Sequence, residues 1–252
     1  MKKEPYSTKT RAESHHYKKS SIPINEIQEL VNGKPIKESL SLLAEKFRDK
    51  IVFSTSLGFE DQVITDIIFT NDIPIRVFTL DTGRLFDETY TVLNKTNEFY
   101  NKKIQVYFPK NDAVEKLVNE KGPFSFYESV ENRKQCCFIR KVEPLNRALQ
   151  GMQFWITGIR SEHSVNRLGM EKIEWDEANG VYKFHPLLNW STQEVINYIK
   201  KHNVPYNRLH DKGFISIGCS PCTRAVSDGE DFRAGRWWWE DNSKKECGLH
   251  AH

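Results

Sequence analysis

Four short apolar runs alternate with stretches of helical periodicity, and this alternation restricts the fold more than any other feature of the chain. The runs are "IVFST" at 51–55, "IRVFTL" at 75–80, "IQVYF" at 104–108 and "FWIT" at 154–157. Each is too short for a helix and is built of β-branched, aromatic and aliphatic residues, whereas "DETYTVLNKTNEFY" (87–100) repeats its apolar positions at helical spacing. Parallel strands need a crossover long enough to hold a helix. Strand and helix in turn therefore predict an α/β fold, a Rossmann-like parallel sheet with helices on both faces. Two helices are expected ahead of the first strand, in "NEIQELV" and "KESLSLLAEKFRD", set apart by Gly33 and Pro35. "KIEWDEANGVYKFHPLL" reads as a hairpin turning at Asn179-Gly180, and "STQEVINYIKKHN" as a helix capped by Ser191. Residues 1–21 lack periodicity and read as a disordered tail, 22–240 as a single domain, and 241–252 as a mobile terminal segment.

A chain of 252 residues can bury a core without disulfide staples, and five cysteines cannot all pair. The opening "MKKEPYSTKTRAESHHYKKSS" has no apolar centre, and no run is long enough to span a bilayer. A reducing cytoplasmic setting with no membrane contact is expected. The net charge of +3 is small for a nucleic-acid-binding surface, so any anion chemistry must come from local cation clusters.

Four segments carry possible chemistry. In "IVFSTSLGFEDQVITDI" a strand runs through Ser54, Ser56 and Gly58 into a helix, presenting free N–H groups and a positive dipole end that suit a phosphate. The same turn also suits an ordinary helix start. It lacks GxxxxGK[ST], which excludes a standard P-loop. "FTLDTGR" ends another strand at Asp81 and Gly83, where a parallel sheet holds its ligand.

The cysteines form two pairs, "CC" at 136–137 and "CSPC" at 219–222. Four matched soft ligands in a reducing setting point to a metal. Zinc draws four sulfurs onto one atom at about 2.3 Å, but side chains of adjacent residues diverge. An iron-sulfur cluster offers a separate iron at each corner and is favoured over zinc on that ground. Arg133, Lys134, Arg140 and Lys141 surround the tandem pair. The fifth thiol, Cys247 in "KKECGLHAH", has Lys244, Lys245 and His250 nearby to raise its thiolate share, which suits a nucleophile as well as an incidental tail cysteine. "RWWWE" reads as core or subunit-interface packing, so assembly with identical chains stays open.

Taken together, "STSLGFEDQVIT", "LDTGR", "CCFIRKVEPL", "TGIRSEHS", "PYNRLHDKGFISIGCSPCTR", "GRWWWE" and "KKECGLH" resemble, in order, the assimilatory adenylyl-sulfate reductases. These are the thioredoxin-dependent, cluster-containing branch of the PAPS/APS reductase family in the PP-loop superfamily. The resemblance implies an adenine-nucleotide alpha-hydrolase-like (PP-loop) fold and reduction of adenosine 5'-phosphosulfate to sulfite and AMP. It implies Cys136, Cys137, Cys219 and Cys222 as ligands of a [4Fe-4S] cluster, and Cys247 as nucleophile with His250 beside it. Lys141, Arg167, Arg233 and Arg236 resemble the cations around the phosphosulfate. Ser54, Ser56 and Gly58 match the phosphate loop, and Leu80, Gly83 and Gly158 fall where the family holds the nucleotide. Thioredoxin or glutaredoxin is the implied reductant, with no nucleic acid as partner. The loop departs from other superfamily members in having Leu57 and Glu60 where they carry Gly and Lys, which argues against ATP cleavage. Alternatives are a reductase that prefers or also accepts the 3'-phosphorylated nucleotide, a tRNA-thiolating PP-loop enzyme, and a zinc-stabilised nucleic-acid-binding module.

Overall fold

Successive strand residues point to opposite faces, and in this chain both sets are apolar, which forces helices onto both sides of the sheet. The computed structural model describes residues 22–163 and 169–240. Six strands form one sheet: β1 (Ile51–Ser54), β2 (Arg76–Leu80), β3 (Gln105–Tyr107), β4 (Phe154–Ile156), β5 (Ile173–Asp176) and β6 (Val181–Phe184). Their spatial order is β3-β2-β1-β4-β6-β5, and every pairing is parallel except the β5–β6 hairpin. The α-helices of the described residues are α1 (Ile24–Val31), α2 (Ile36–Phe47), α3 (Phe59–Thr70), α4 (Asp87–Tyr100), α5 (Asn111–Lys121), α6 (Val130–Cys137), α7 (Glu143–Leu149) and α8 (Thr192–His202).

The alternation sorts the strand residues cleanly. Phe53, Val77, Phe154, Ile156 and Phe184 face the larger core, with buried residues of α1, α2, α3 and α8. Their neighbours Val52, Phe78, Trp155 and Val181 pack the other way, onto Leu145, Ala148 and Leu149 of α7. The four expected strands and the hairpin are present. Gly180 takes the left-handed conformation at φ 64° that the turn needs. Ser191 caps α8 in a reciprocal box, taking the Glu194 N–H while the Glu194 carboxylate takes the Ser191 N–H at 2.7 Å. Residues 1–21 and 241–252, read from sequence as tails, lie outside the described residues. Among those described, no helix is long and apolar enough to cross a membrane.

One local feature was not foreseen. Between α6 and α7, Phe138–Val142 form a π-helical turn directly after the tandem cysteines. A π turn inserts extra backbone into a helix and so re-aims the side chains that follow it. Arg140, in that turn, is buried and donates to the Thr82 carbonyl at 2.6 Å, tying the turn to the end of β2.

Candidate active site

Parallel strands end at the same edge of a sheet, and a crevice opens where adjacent connections leave in different directions. The carboxyl ends of β2, β1 and β4 line such a cavity, with a volume of about 270 Å³. Ser54, Ser56 and Gly58 border it after β1, Leu80 at the end of β2, and Gly158 after β4. Lys141, Arg233 and Arg236 line the same cavity. Leu57 adopts φ 63°, and α3 starts behind Gly58 without a side-chain cap. The loop therefore turns sharply while leaving first-turn N–H groups to be satisfied from outside the helix.

Part of the loop is satisfied from within. Asp61, in the first turn of α3, accepts from the Ser56 N–H at 2.5 Å and the Ser56 hydroxyl at 2.6 Å. Gly158 approaches so closely that a Cβ there would lie 2.0 Å from Asp61 Oδ1, so this position excludes any side chain. Burial raises the Asp61 carboxyl to about 6, with the Ser56 hydrogen bonds opposing and Glu60 adding to the rise. Glu60 is itself held 3.0 Å from the buried Arg160 guanidinium.

The Asp61 environment gives a stability prediction. Folded Asp61 keeps its proton to about pH 6, against 3.8 for an ordinary aspartate. The folded state thus binds more protons between those values, and the contribution of this group to stability falls as pH rises through that window. Asp61→Asn is expected to gain on wild type from about pH 4 to pH 7, by at most about 3 kcal/mol, in urea midpoints measured at both ends. A difference independent of pH contradicts the assignment.

Two of the same cations, Lys141 and Arg236, also lie close to the cysteine pairs, beside Cys222. Cys136 and Cys137 end α6, while Cys219 and Cys222 bracket a 3-10 turn closed by the Cys222 N–H to the Cys219 carbonyl at 2.9 Å. That turn is docked onto the end of β2: the Ser220 N–H donates to the Arg84 carbonyl at 2.8 Å, and the Cys219 thiol to Thr82 Oγ1 at 3.2 Å. Burial raises the Cys136 thiol, while Arg140 and Arg84 pull it down and Cys219 adds to the rise. Burial pushes Cys222 up to about 12, Cys219 adds to the rise, and Lys141 and Arg236 oppose it. The two pairs therefore share one charged neighbourhood. Lys141 and Arg236 belong to it and to the cavity wall at once.

Residues 50–225 match the family described as phosphoadenosine phosphosulfate reductase domain. The chain belongs to this family. Among its relatives, adenosine 5'-phosphosulfate reductase from Allochromatium vinosum is 51% identical over 214 residues, covering 84% of each chain. The solved phosphoadenylyl-sulfate reductase from Candida auris, a phosphate complex, superposes with a TM-score of 0.68 at 29% identity over 82% of this chain and 98% of that one. Candida glabrata FMN adenylyltransferase, solved with FAD and inorganic pyrophosphate, shares the fold alone, with a TM-score of 0.53 at 17% identity over 92% and 81% of the two chains. The parallel-dominated PP-loop architecture expected from the sequence is the one this reductase family adopts.

Of the site residues named from sequence, Ser54, Ser56, Gly58, Leu80, Lys141, Gly158, Arg233 and Arg236 line the single cavity just described. Gly83 does not line it. At φ 69° it passes beside Arg140, whose Nη1 would be 3.3 Å from a Cβ at that position. Arg167, Cys247 and His250 lie outside the described residues.

From sequence, Thr82 and Arg84 of "LDTGR" read as a ligand contact or as a turn capping the next helix; their contacts with the Cys219–Cys222 turn were not foreseen. Sequence reasoning also missed the second role of Trp237. This residue is buried, as packing requires, and its ring also gathers the guanidinium carbons of Arg133, Arg236 and Arg233 at 4.7, 4.9 and 5.8 Å. The one available signal was the placing of Arg233 and Arg236 just ahead of the tryptophan run. Gly218 completes the arrangement, since a Cβ there would lie 2.4 Å from Arg236 Nη2.

The donor chemistry of the cysteine neighbourhood fits an iron-sulfur cluster. Among the described residues, no group of three or more His, Cys, Asp or Glu side chains is arranged to hold a metal ion. Arg84 Nη1, Arg140 Nε and Arg236 Nε are buried with no hydrogen-bond partner among the described residues. Buried positive groups of this kind match the negative charge that four thiolates and bridging sulfides bring.

Proposed function

We propose that this chain reduces adenosine 5'-phosphosulfate to sulfite and AMP in assimilatory sulfate reduction, with an external thioredoxin or glutaredoxin as electron donor. One observation carries the reading: the cavity joins a phosphate-type loop to Lys141, Arg233 and Arg236, and two of those cations, Lys141 and Arg236, also act on the Cys222 thiol. The relatives named as adenosine 5'-phosphosulfate reductases supply the substrate class.

In this reading Leu80 and Gly158 bound the nucleotide, Gly83 shapes the turn after β2 next to them, and Ser54, Ser56 and Gly58 offer donors to its anionic part. The Cys247 thiolate, with His250 and Arg167 beside the reaction, attacks the sulfur. The sulfur–oxygen bond to the phosphate breaks, its electron pair leaves with AMP, and a sulfonate remains on Cys247. A thiolate approaching an anionic sulfonyl group is opposed by charge repulsion, while charge grows on the departing phosphate. Fixed cations meet both demands, and Lys141, Arg233 and Arg236 are held in place before substrate arrives. A thiolate of the dithiol partner then attacks Cys247 Sγ, and sulfite departs with the electron pair of the S–S bond. The partner's second thiol displaces Cys247 and closes its own disulfide, so the dithiol has supplied two electrons. A reduced partner and free thiols fit a cytoplasmic setting.

Cys136, Cys137, Cys219 and Cys222 would hold a [4Fe-4S] cluster. When bound, such a group joins the two cysteine segments and sets part of the electrostatic field at the cavity. Arg84, Arg140, Lys141 and Arg236 neutralise the thiolates, and Lys141 and Arg236 do so from positions that also face substrate.

By the resemblance stated above, the paired cysteines place the chain in the branch that usually takes the unphosphorylated nucleotide, some of whose members accept both forms. With thioredoxin matched, kcat/KM for adenosine 5'-phosphosulfate is expected to exceed that for the 3'-phosphorylated form by at least about tenfold, or about 1.4 kcal/mol. A preference for the 3'-phosphate form reverses the assignment.

A further inference from the structure

His210 lines the cavity beside the phosphate-type loop, and the proposed sulfur chemistry leaves it without a task. It belongs to a 3-10 turn, Arg208–Lys212, that is fixed at both ends. Asn207 caps the turn, accepting from the Leu209 N–H at 3.1 Å while its own amide donates to Thr89 Oγ1 of α4 at 3.1 Å. Gly213 closes it at φ 80°. The imidazole lies flat on the Phe59 ring at the start of α3, with centroids 3.9 Å apart and planes 13° from parallel. The ring is therefore held both at its root and across its face.

The two ring nitrogens are in different states. Nδ1 lies 2.8 Å from the Phe214 carbonyl, which can only accept, so Nδ1 carries a proton. Nε2 is buried and has no hydrogen-bond partner among the described residues. Burial lowers the His210 pKa from the ordinary 6.5, while Glu60, the Phe214 carbonyl and Asp211 oppose the fall. In the neutral ring Nε2 is an acceptor, and a buried acceptor left unpaired costs free energy. A ligand that brings an O–H or N–H to this point removes that cost.

Location selects the donor. Phe59, under the imidazole, follows Gly58 of the loop directly, and Glu60, which acts on the His210 ring, lies against Gly158: a Cβ there would be 3.2 Å from Glu60 Cβ. His210 thus stands next to the loop that takes the anionic part of the ligand. In a nucleoside 5'-phosphate the ribose hydroxyls are the donors nearest the phosphate, and the exocyclic amine of adenine is at the far end of the base. We propose that His210 Nε2 accepts a hydrogen bond from a ribose hydroxyl of the bound nucleotide. This rests on the reading of the cavity as the nucleotide site and adds to it a residue that reads the sugar.

The test measures binding of AMP, 2'-deoxy-AMP, 3'-deoxy-AMP and purine riboside 5'-monophosphate, which lacks the amine, to full-length, iron-loaded protein. Wild type is expected to bind at least one of the deoxy analogues about fivefold or more weakly than AMP, the effect of one buried hydrogen bond. His210→Phe keeps a ring to stack on Phe59 and has no nitrogen to accept. In that variant AMP should weaken by about the same factor, the ratio for that deoxy analogue should fall to about one, and iron content should not change. A merely structural role would weaken all four nucleotides alike and leave the ratios as they were, which overturns the proposal. Loss of discrimination against the purine analogue, with the deoxy ratios kept, places the acceptor against the base and overturns the ribose assignment. Equal binding of AMP and both deoxy analogues to wild type overturns it as well, even if His210→Phe does not fold. If wild type binds none of the four, the nucleotide reading of the cavity fails and the ribose contact with it.

Discussion

Cys247→Ser protein is expected to bind AMP with wild-type affinity and to keep its full iron content, yet to carry no sulfonate and release no sulfite. The loss should be at least about 10³-fold, down to background, because a hydroxyl of ordinary pKa supplies almost no nucleophile at neutral pH and the displacement has no alternative first step. In the proposed reading iron and nucleotide depend on groups elsewhere: the cysteine pairs, and the cavity lined by Ser54, Leu80 and Gly158. Activity, AMP binding and iron analysis on the same preparation separate the two classes of effect. Sulfite production near the wild-type rate would assign the chemistry to another group.

The second large effect concerns the paired cysteines. Wild-type protein purified without oxygen is expected to be brown, with about four irons and four sulfides per chain. Cys219→Ser should lose most of that iron and all turnover. Cys219 is buried at the joint between the 3-10 turn and the end of β2, where its thiol donates to Thr82 Oγ1. Colourless wild type with one zinc per chain contradicts the cluster and favours the zinc-stabilised module. Iron bound normally in Cys219→Ser would remove that residue from the ligand set.

The sheet was legible because its signal is local. Each strand is a short apolar run, and the hairpin and the α8 cap carry their own turn and cap residues. The joining of loop, cations and thiols was legible only through family resemblance. Lys141 and Arg236 are 95 residues apart, and two irregular elements bring them together, the π turn after Cys137 and the 3-10 turn at Ser220–Cys222. Neither leaves a periodic pattern. Gly83 shows the same limit from the other side: its strand-end position suggested contact with a nucleotide, and the structure adds a positive φ and a close approach to Arg140 that no sequence pattern announces. Trp237 was correctly read as packing, but nothing in "RWWWE" by itself says that the ring packs against three guanidinium groups.

The central chemical claim is that sulfur passes from the nucleotide to Cys247 before any reductant acts. Wild-type protein mixed anaerobically with adenosine 5'-phosphosulfate and no dithiol, then digested and weighed, tests it directly. The expected result is release of one AMP per active site and then no more, with one SO3 group gained by the peptide containing Cys247 and lost again as free sulfite when thioredoxin is added. Continued AMP release without an adduct, or an adduct on any other cysteine, would contradict it.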